Sequence, residues 1–226
     1  MIDIIEFSGN ESKIQFKKIS LIHKKSIVDG FLSSLNSSIL IKLYIGFAKS
    51  KHSKLFVALD NKGNILGFIV ISFETTKLYK EIIFHNFLSI TPLLLPKMLK
   101  MGFLLKIFET ILYPFKDKID AGAESELLNF CVDNDSRGKG IGEKLFFRVR
   151  DVLKNRNINS LKIVTGKTQI AAQKFYEKHK AELIGIQEIH KDVKSLIYKY
   201  NIKNKYIKFK LSCTIIFPFL IISLYI

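Results

Sequence analysis

The sequence predicts a mixed α/β fold, and three observations carry that prediction. Two apolar, β-rich runs, KLFVAL and ILGFIVIS, flank the turn residues Asp60-Asn61-Lys62-Gly63-Asn64, the pattern of a β-hairpin. A strand-like run, SELLNFCVD, leads through a short loop into Arg137-Gly138-Lys139-Gly140-Ile141-Gly142 and then directly into an amphipathic helix. From there strand, helix and two further strands follow in regular order.

Taken along the chain, Lys13–Ser20 (KIQFKKIS) reads as a short strand. LIHKKSIVDGFLSSL and SSILIKLYIGFAKS read as helices, each weakened by an internal glycine, Gly30 and Gly46. The hairpin follows. Residues 84–115, FHNFLSITPLLLPKMLKMGFLLKIFETILYPF, form an apolar insert divided by Pro92, Pro96 and Pro114. Its apolar residues lie on every side of a helix, which predicts burial or contact with a lipid surface or a partner. Ile141 to Lys154 is a helix with Ile141, Leu145, Val149 and Val152 on one stripe. SLKIVTG is a strand, TQIAAQKFYEKHK a helix, and AELIGIQEIH and VKSLIYKYNI two strands expected to pair antiparallel. We expect a single domain over residues 1–210 and a hydrophobic tail over 211–226, LSCTIIFPFLIISLYI. That tail carries no charge but is shorter than the roughly 20 residues a spanning helix needs.

The bulk composition narrows the function. With 226 residues and 48% hydrophobic residues the chain can bury a proper core. A net charge of +16 attracts anions such as phosphorylated small molecules or anionic lipid. The lysines are scattered rather than gathered on one arm or helix, so nucleic acid is not the expected partner. Two cysteines, Cys131 and Cys213, with no Cys/His cluster at zinc spacing, imply neither a disulfide framework nor a metal site. The N-terminus carries acidic residues early and lacks a signal-peptide core, so a cytoplasmic location is expected.

The glycines mark the candidate site. The first turn of a helix presents N–H groups with no internal partner, at the positive end of its dipole. Glycines there let ligand oxygens approach the main chain, so residues 137–142 read as an anion cradle flanked by the charges of Arg137 and Lys139. The loop lacks the Gly-Lys-Ser/Thr of a Walker motif. It also lacks the last glycine of the dinucleotide fingerprint, since Glu143 stands there.

The spacing Arg137-x-x-Gly140-x-Gly142 resembles the phosphate loop of the GNAT superfamily of N-acetyltransferases. A second motif, TQIAAQKFYEKHKAELIG, resembles the later helix of that family, with Ala172, Tyr176, Glu177 and Lys178 matching. Gln169 stands where Asn is common, Lys180 where Gly is common and Ala181 where Phe is common, which puts the turn after the helix and the contact near Gln169 in question. The likeness covers about Lys13 to Ile202. It implies a strongly twisted mixed sheet with helices on both faces.

The resemblance also implies the chemistry. The donor is acetyl-coenzyme A, with its pyrophosphate on the amides of Arg137, Gly138, Lys139, Gly140, Ile141 and Gly142. Its pantetheine arm runs along the strand end at Cys131 and Val132, near Gln169, where two parallel strands splay. Tyr176 stands in the place of the acid that protonates the leaving thiolate. A glutamate base occurs at the spacing of Glu126 in some members, with Glu124 in reserve. Read by period two, Glu126 shares a mostly apolar face with Leu128, Phe130 and Val132. Cys131 has no His/Asp arrangement to activate it and reads as a small buried residue; the resemblance implies direct transfer from thioester to amine, with no acyl-enzyme. His179 reads as a surface residue beyond Tyr176, and no histidine is given a role.

The expected function is transfer of an acetyl group to a primary amine of a small molecule, an amino sugar being one candidate, or of a protein. The alternative is a catalytically silent coenzyme A-binding or membrane-associated scaffold of the same fold. No metal is expected. The tail reads as a strand or helix packed onto the insert, with a lipid-dipping anchor as the alternative, and insert and tail are otherwise open to a membrane surface at the inner face of the cytoplasmic membrane, a second copy of the chain, or the acceptor.

Overall fold

A computed structural model of the protein describes residues 1–27, 31–84, 122–123, 125–190 and 193–202. In chain order the elements are β1 (Asp3–Phe7), α1 (Lys13–Ser26), α2 (Ser37–Lys49), β2 (Ser53–Leu59) and β3 (Ile65–Ser72). A helix over residues 75–84, α3, follows. Then come β4 (Ser125–Val132), α4 (Ile141–Asn155), β5 (Ser160–Gly166), α5 (Ile170–Lys178), β6 (Glu182–His190) and β7 (Val193–Asn201). The seven strands make one mixed sheet in the order β1-β2-β3-β4-β5-β7-β6. Among the described strand pairs only β4–β5 is parallel.

Helices cover both faces. Phe16, Ile19 and Ile22 of α1 and Leu40, Tyr44 and Phe47 of α2 pack on Leu55, Val57, Phe68 and Val70. Ile141, Leu145 and Val149 of α4 and Tyr176 of α5 pack on Phe56, Ile69, Ile71 and Ile163. Strand alternation sends Leu55 and Val57 to one layer and Phe56 and Ala58 to the other, so β2 is buried on both sides and reads as a continuous apolar run. Each such side chain, fully buried, contributes about 1.5–3 kcal/mol.

Two N-terminal expectations are corrected. Lys13–Ser20 is the start of α1, not a strand. Ile14 and Phe16 mimic a period of two, but Phe16, Ile19, Ser20, Ile22 and His23 are the buried positions, at helical spacing. Ser12 and Gln15 close a capping box: the Ser12 hydroxyl accepts the Gln15 N–H at 3.3 Å and the Gln15 side chain accepts the Ser12 N–H at 3.1 Å. The first strand is instead Asp3–Phe7, which pairs with β2 at the sheet edge.

A β-bulge in β4 decides which way its side chains point. Val70 pairs with Asn129 and Ile71 with Leu127, leaving Leu128 without a partner on β3. The extra residue inverts the alternation. Glu126 (opposite Ser72), Asn129 (opposite Val70) and Cys131 (opposite Phe68) therefore lie toward the α1–α2 layer. Leu127, Phe130 and Val132 pack toward α4 and α5. The period-two expectation that Glu126 shares a face with Phe130 and Val132 is thus overturned.

Residues 85–115 of the expected insert, the tail 211–226 and Glu124 lie outside the described residues. Among the described residues, no helix is long and apolar enough to cross a membrane.

Candidate active site

The site begins where β4 ends. A 3-10 turn at Asn134–Ser136 carries the chain around to Gly138, with φ +76°, and Gly140, with φ +73°. For any residue with a Cβ this left-handed backbone costs roughly 1–2 kcal/mol. A Cβ built at either glycine meets nothing within 4 Å, so both open outward. Gly140 is the N-cap of α4, and the first helical hydrogen bond runs from the Lys144 N–H to the Gly140 carbonyl at 3.1 Å. Among the described residues, the N–H groups of 138–143 have no backbone acceptor. They form a row of donors at the positive end of a helix, suited to the oxygens of a phosphate.

The loop's charges leave that row open. Arg137 Nε donates to the Val132 carbonyl at 3.4 Å, and Lys139 Nζ donates to the Asp135 carbonyl at 2.9 Å. Glu143, the acid in the first turn, is drawn aside by Lys178 at 2.7 Å, with His179 Nε2 at 3.7 Å. The Lys178 hydrogen bond and charge hold its carboxyl below the usual range. Ile141 is buried and anchors the turn in the core. Gly142 is closely packed rather than open: a Cβ there would stand 3.4 Å from the Phe130 ring and 3.5 Å from Phe175.

Beside the loop the sheet parts. β4 and β5 pair only at Ser125–Leu161, Glu126–Lys162 and Leu127–Ile163, yet β4 continues to Val132 and β5 to Gly166. Past Leu127 the edges of the two strands face a slot. Cys131 lies on the α1–α2 side of it and Tyr176 on the α5 side, both buried. The Tyr176 phenol is raised well above its usual range, chiefly by burial and then by the charge of Cys131. Burial pushes the Cys131 thiol up to about 12, against the pull of Arg137 and a Ser26 hydrogen bond. A thiol held that far toward its neutral form is a poor nucleophile.

Tyr176 is held by its surroundings rather than by its hydroxyl. Phe175 stacks edge-on against Phe130 at 5.4 Å and Phe146 at 5.6 Å, locking α5 onto β4 and α4. Among the described residues the Tyr176 hydroxyl has no hydrogen-bond partner, which leaves it available as a donor.

Glu126 stands at the other end of the paired stretch, 6% exposed. Thr75 Oγ1, at the start of α3, donates to its Oε2 at 3.0 Å. Lys162, also buried, is its register partner on β5. The phenol of Tyr79, on α3, is raised by burial and then by the charge of Glu126. Sequence reading missed Thr75 and Tyr79. Their four-residue spacing marks one helical face, but nothing in the sequence ties that face to a residue some fifty positions away.

The remaining candidates sort as follows. Gln169 caps α5, and its Oε1 accepts the Thr165 hydroxyl at 2.9 Å, so it braces the β5–α5 turn beside the slot. Val132 already lends its carbonyl to Arg137. Lys180, where the related motif commonly has glycine, adopts φ +63°, a left-handed turn made without the residue best suited to it. His179 is not a surface residue: its side chain is 9% exposed, Nδ1 lies 2.7 Å from the Phe175 carbonyl and the ring packs on Phe175. Among the described residues no group of three or more His, Cys, Asp or Glu side chains could hold a metal ion.

A parallel strand pair that parts beside a glycine-rich helix N-terminus suits a ligand that carries a phosphate group at one end. The family model of the acetyltransferase (GNAT) family matches residues 27–180, and the chain belongs to that family. No curated protein sequence matches it. Among solved structures it is similar to an N-acetyltransferase from Staphylococcus aureus Mu50, with TM-score 0.57 and 16% identity, covering 90% of this chain and 99% of that one. It is also similar to the ribosomal-protein-S18-alanine N-acetyltransferase from Escherichia coli, with TM-score 0.54 and 13% identity, covering 92% and 100%. At these identities the likeness is one of fold.

Proposed function

We propose that the protein transfers an acetyl group from acetyl-coenzyme A directly to a primary amine of a small molecule, amino sugars included, or of a protein. The observation that carries this reading is the slot between β4 and β5. It has free backbone donors at its loop end and buried Tyr176 on one face. Glu126 lies toward the other face.

Acetyl-coenzyme A supplies the acyl group as a thioester. The amides of residues 138–143 bind its diphosphate, and Arg137 and Lys139 add charge beside it. Glu126 takes a proton from the incoming ammonium, since an amine at its ordinary pKa is almost wholly protonated at neutral pH. The amine nitrogen bonds to the carbonyl carbon, the carbon–sulfur bond breaks, and the electron pair leaves on sulfur. Tyr176 donates its hydrogen bond to that sulfur. Burial disfavours phenolate, so the phenol holds its proton until charge has gathered on sulfur; the second proton lost by nitrogen restores it through solvent. Cys131 forms no acyl intermediate.

The Escherichia coli neighbour, named for the alanine of a ribosomal protein, makes a protein N-terminus a candidate acceptor beside amino sugars. The test has two stages. Acetyl-coenzyme A at about 100 times its Kd should add roughly 2.7 kcal/mol of stability to the wild type and none to Gly140→Glu. Thiol release is then followed with D-glucosamine, an alanine-initiated peptide and a lysine-containing peptide. A folded wild type with no thermal shift would sink the reading.

A further inference from the structure

We propose that Thr75 is a positioning residue for the candidate base Glu126, and that α3 is the element that orients the acceptor side of the site. This rests on the reading of Glu126 given above. The Thr75 hydroxyl donates to Glu126 Oε2 at 3.0 Å, fixing that carboxylate oxygen on the side of β4 that faces the α1–α2 layer. Tyr79, one helical turn on, lies on the same face of α3 as Thr75. Its phenol feels the Glu126 charge and is held in its neutral form. A neutral phenol beside the carboxylate offers a second donor, or an aromatic face for an ammonium.

The helix is itself held in place. Ser50 Oγ donates to Glu81 Oε2 at 2.5 Å, and His52 Nδ1 meets Glu74 Oε1 at 3.1 Å, so the α2–β2 turn grips α3 near both ends of its described part. Leu78, between those polar contacts, and Ile82, just past the second, pack into the α1–α2 layer. Thr75 is therefore delivered to Glu126 by a packed helix, not by a loop. The β4 bulge is the second half of the arrangement. It turns Glu126 toward the layer that contains α3, and without it the hydroxyl and carboxylate would lie on opposite faces of the sheet.

The test uses the full chain and has an arm that needs no acceptor. With 13C-glutamate label, the carboxylate stretch of Glu126 is identified in the infrared by its loss in Glu126→Gln. Thr75→Val should shift that band, and Thr75→Ser should restore it. An unmoved band in folded Thr75→Val overturns the proposal. The second arm measures turnover with whichever of the three amines above is acetylated. Thr75→Val should lower kcat by about tenfold with little change in KM for acetyl-coenzyme A. It should have no further effect in a Glu126→Gln background. Equal losses in both backgrounds would mark a structural role only and overturn the proposal. Undiminished turnover in Glu126→Gln would instead remove the base reading while the infrared arm still judged the Thr75 contact.

Discussion

Glu126 and Cys131 lie toward the same face of β4 although they stand five positions apart. A regular strand would place them on opposite faces. The unpaired Leu128 makes the difference, as Ser72 and Phe68, their partners on β3, confirm. The bulge puts the carboxylate on the side of the α1–α2 layer, with Tyr176 in the layer on the opposite face. Replacing Glu126 by Gln keeps the shape and removes the carboxylate proposed as the base. We expect kcat to fall by about 10²–10⁴, the usual range for a general base, with acetyl-coenzyme A affinity unchanged. Steady-state kinetics and a thermal shift check the two halves.

Tyr176→Phe isolates the hydroxyl. No described group depends on it for a hydrogen bond, so removal orphans nothing and stability should stay within about 0.5 kcal/mol of wild type. Turnover should fall by about 10²-fold or more. A variant with full turnover would remove Tyr176 from the chemistry.

Cys131→Ala tests the direct route. With its thiol held near 12, Cys131 should resist iodoacetamide at pH 8 in the native protein and react once unfolded. Mass spectrometry of the peptide that contains it reads this directly. The alanine variant should keep its turnover, and an acetylated Cys131 trapped during turnover would contradict the direct mechanism.

His23 predicts a pH window for stability. It is buried with Nδ1 2.6 Å from the Tyr44 hydroxyl, and burial, with a smaller push from Lys24, lowers its pKa from 6.5 to about 4. Between those values the unfolded chain binds the extra proton. Its contribution is therefore complete above pH 6.5, declines as pH falls toward 4, and is gone below. The loss should be of order 3 kcal/mol. Urea unfolding from pH 7 to pH 4 measures it, and His23→Leu should flatten that part of the profile.

Lys180→Gly should stabilise the chain by about 0.5–1 kcal/mol, because φ +63° strains a side-chain-bearing residue and not glycine. A thermal melt decides it. Turnover should not change, since Lys180 is exposed beyond the end of α5.

Much of this was legible in the sequence because it is local. The hairpin, the glycine loop, α4, α5 and the last two strands depend on turn residues and apolar period within a few positions, and they fall where those signals place them. The start of α1 was legible too, in the Ser12-x-x-Gln15 capping box, but the pair Ile14 and Phe16 imitated a strand. β1 was missed because five residues at a sheet edge are a strand only by virtue of β2 beside them.

The sequence by itself determined that a helix begins at a loop of open glycines after a strand, and that a tyrosine follows on a second helix. Both are consequences of short-range backbone chemistry. Only the tertiary structure decided where the carboxylate points and what holds it. A bulge exists only in the register between two strands, and the Thr75–Glu126 contact joins residues that only packing brings together. The slot has the same origin. Strands β4 and β5 stop pairing at Leu127–Ile163 while each keeps its other neighbour to the end, a pattern of pairing that no single stretch of sequence contains.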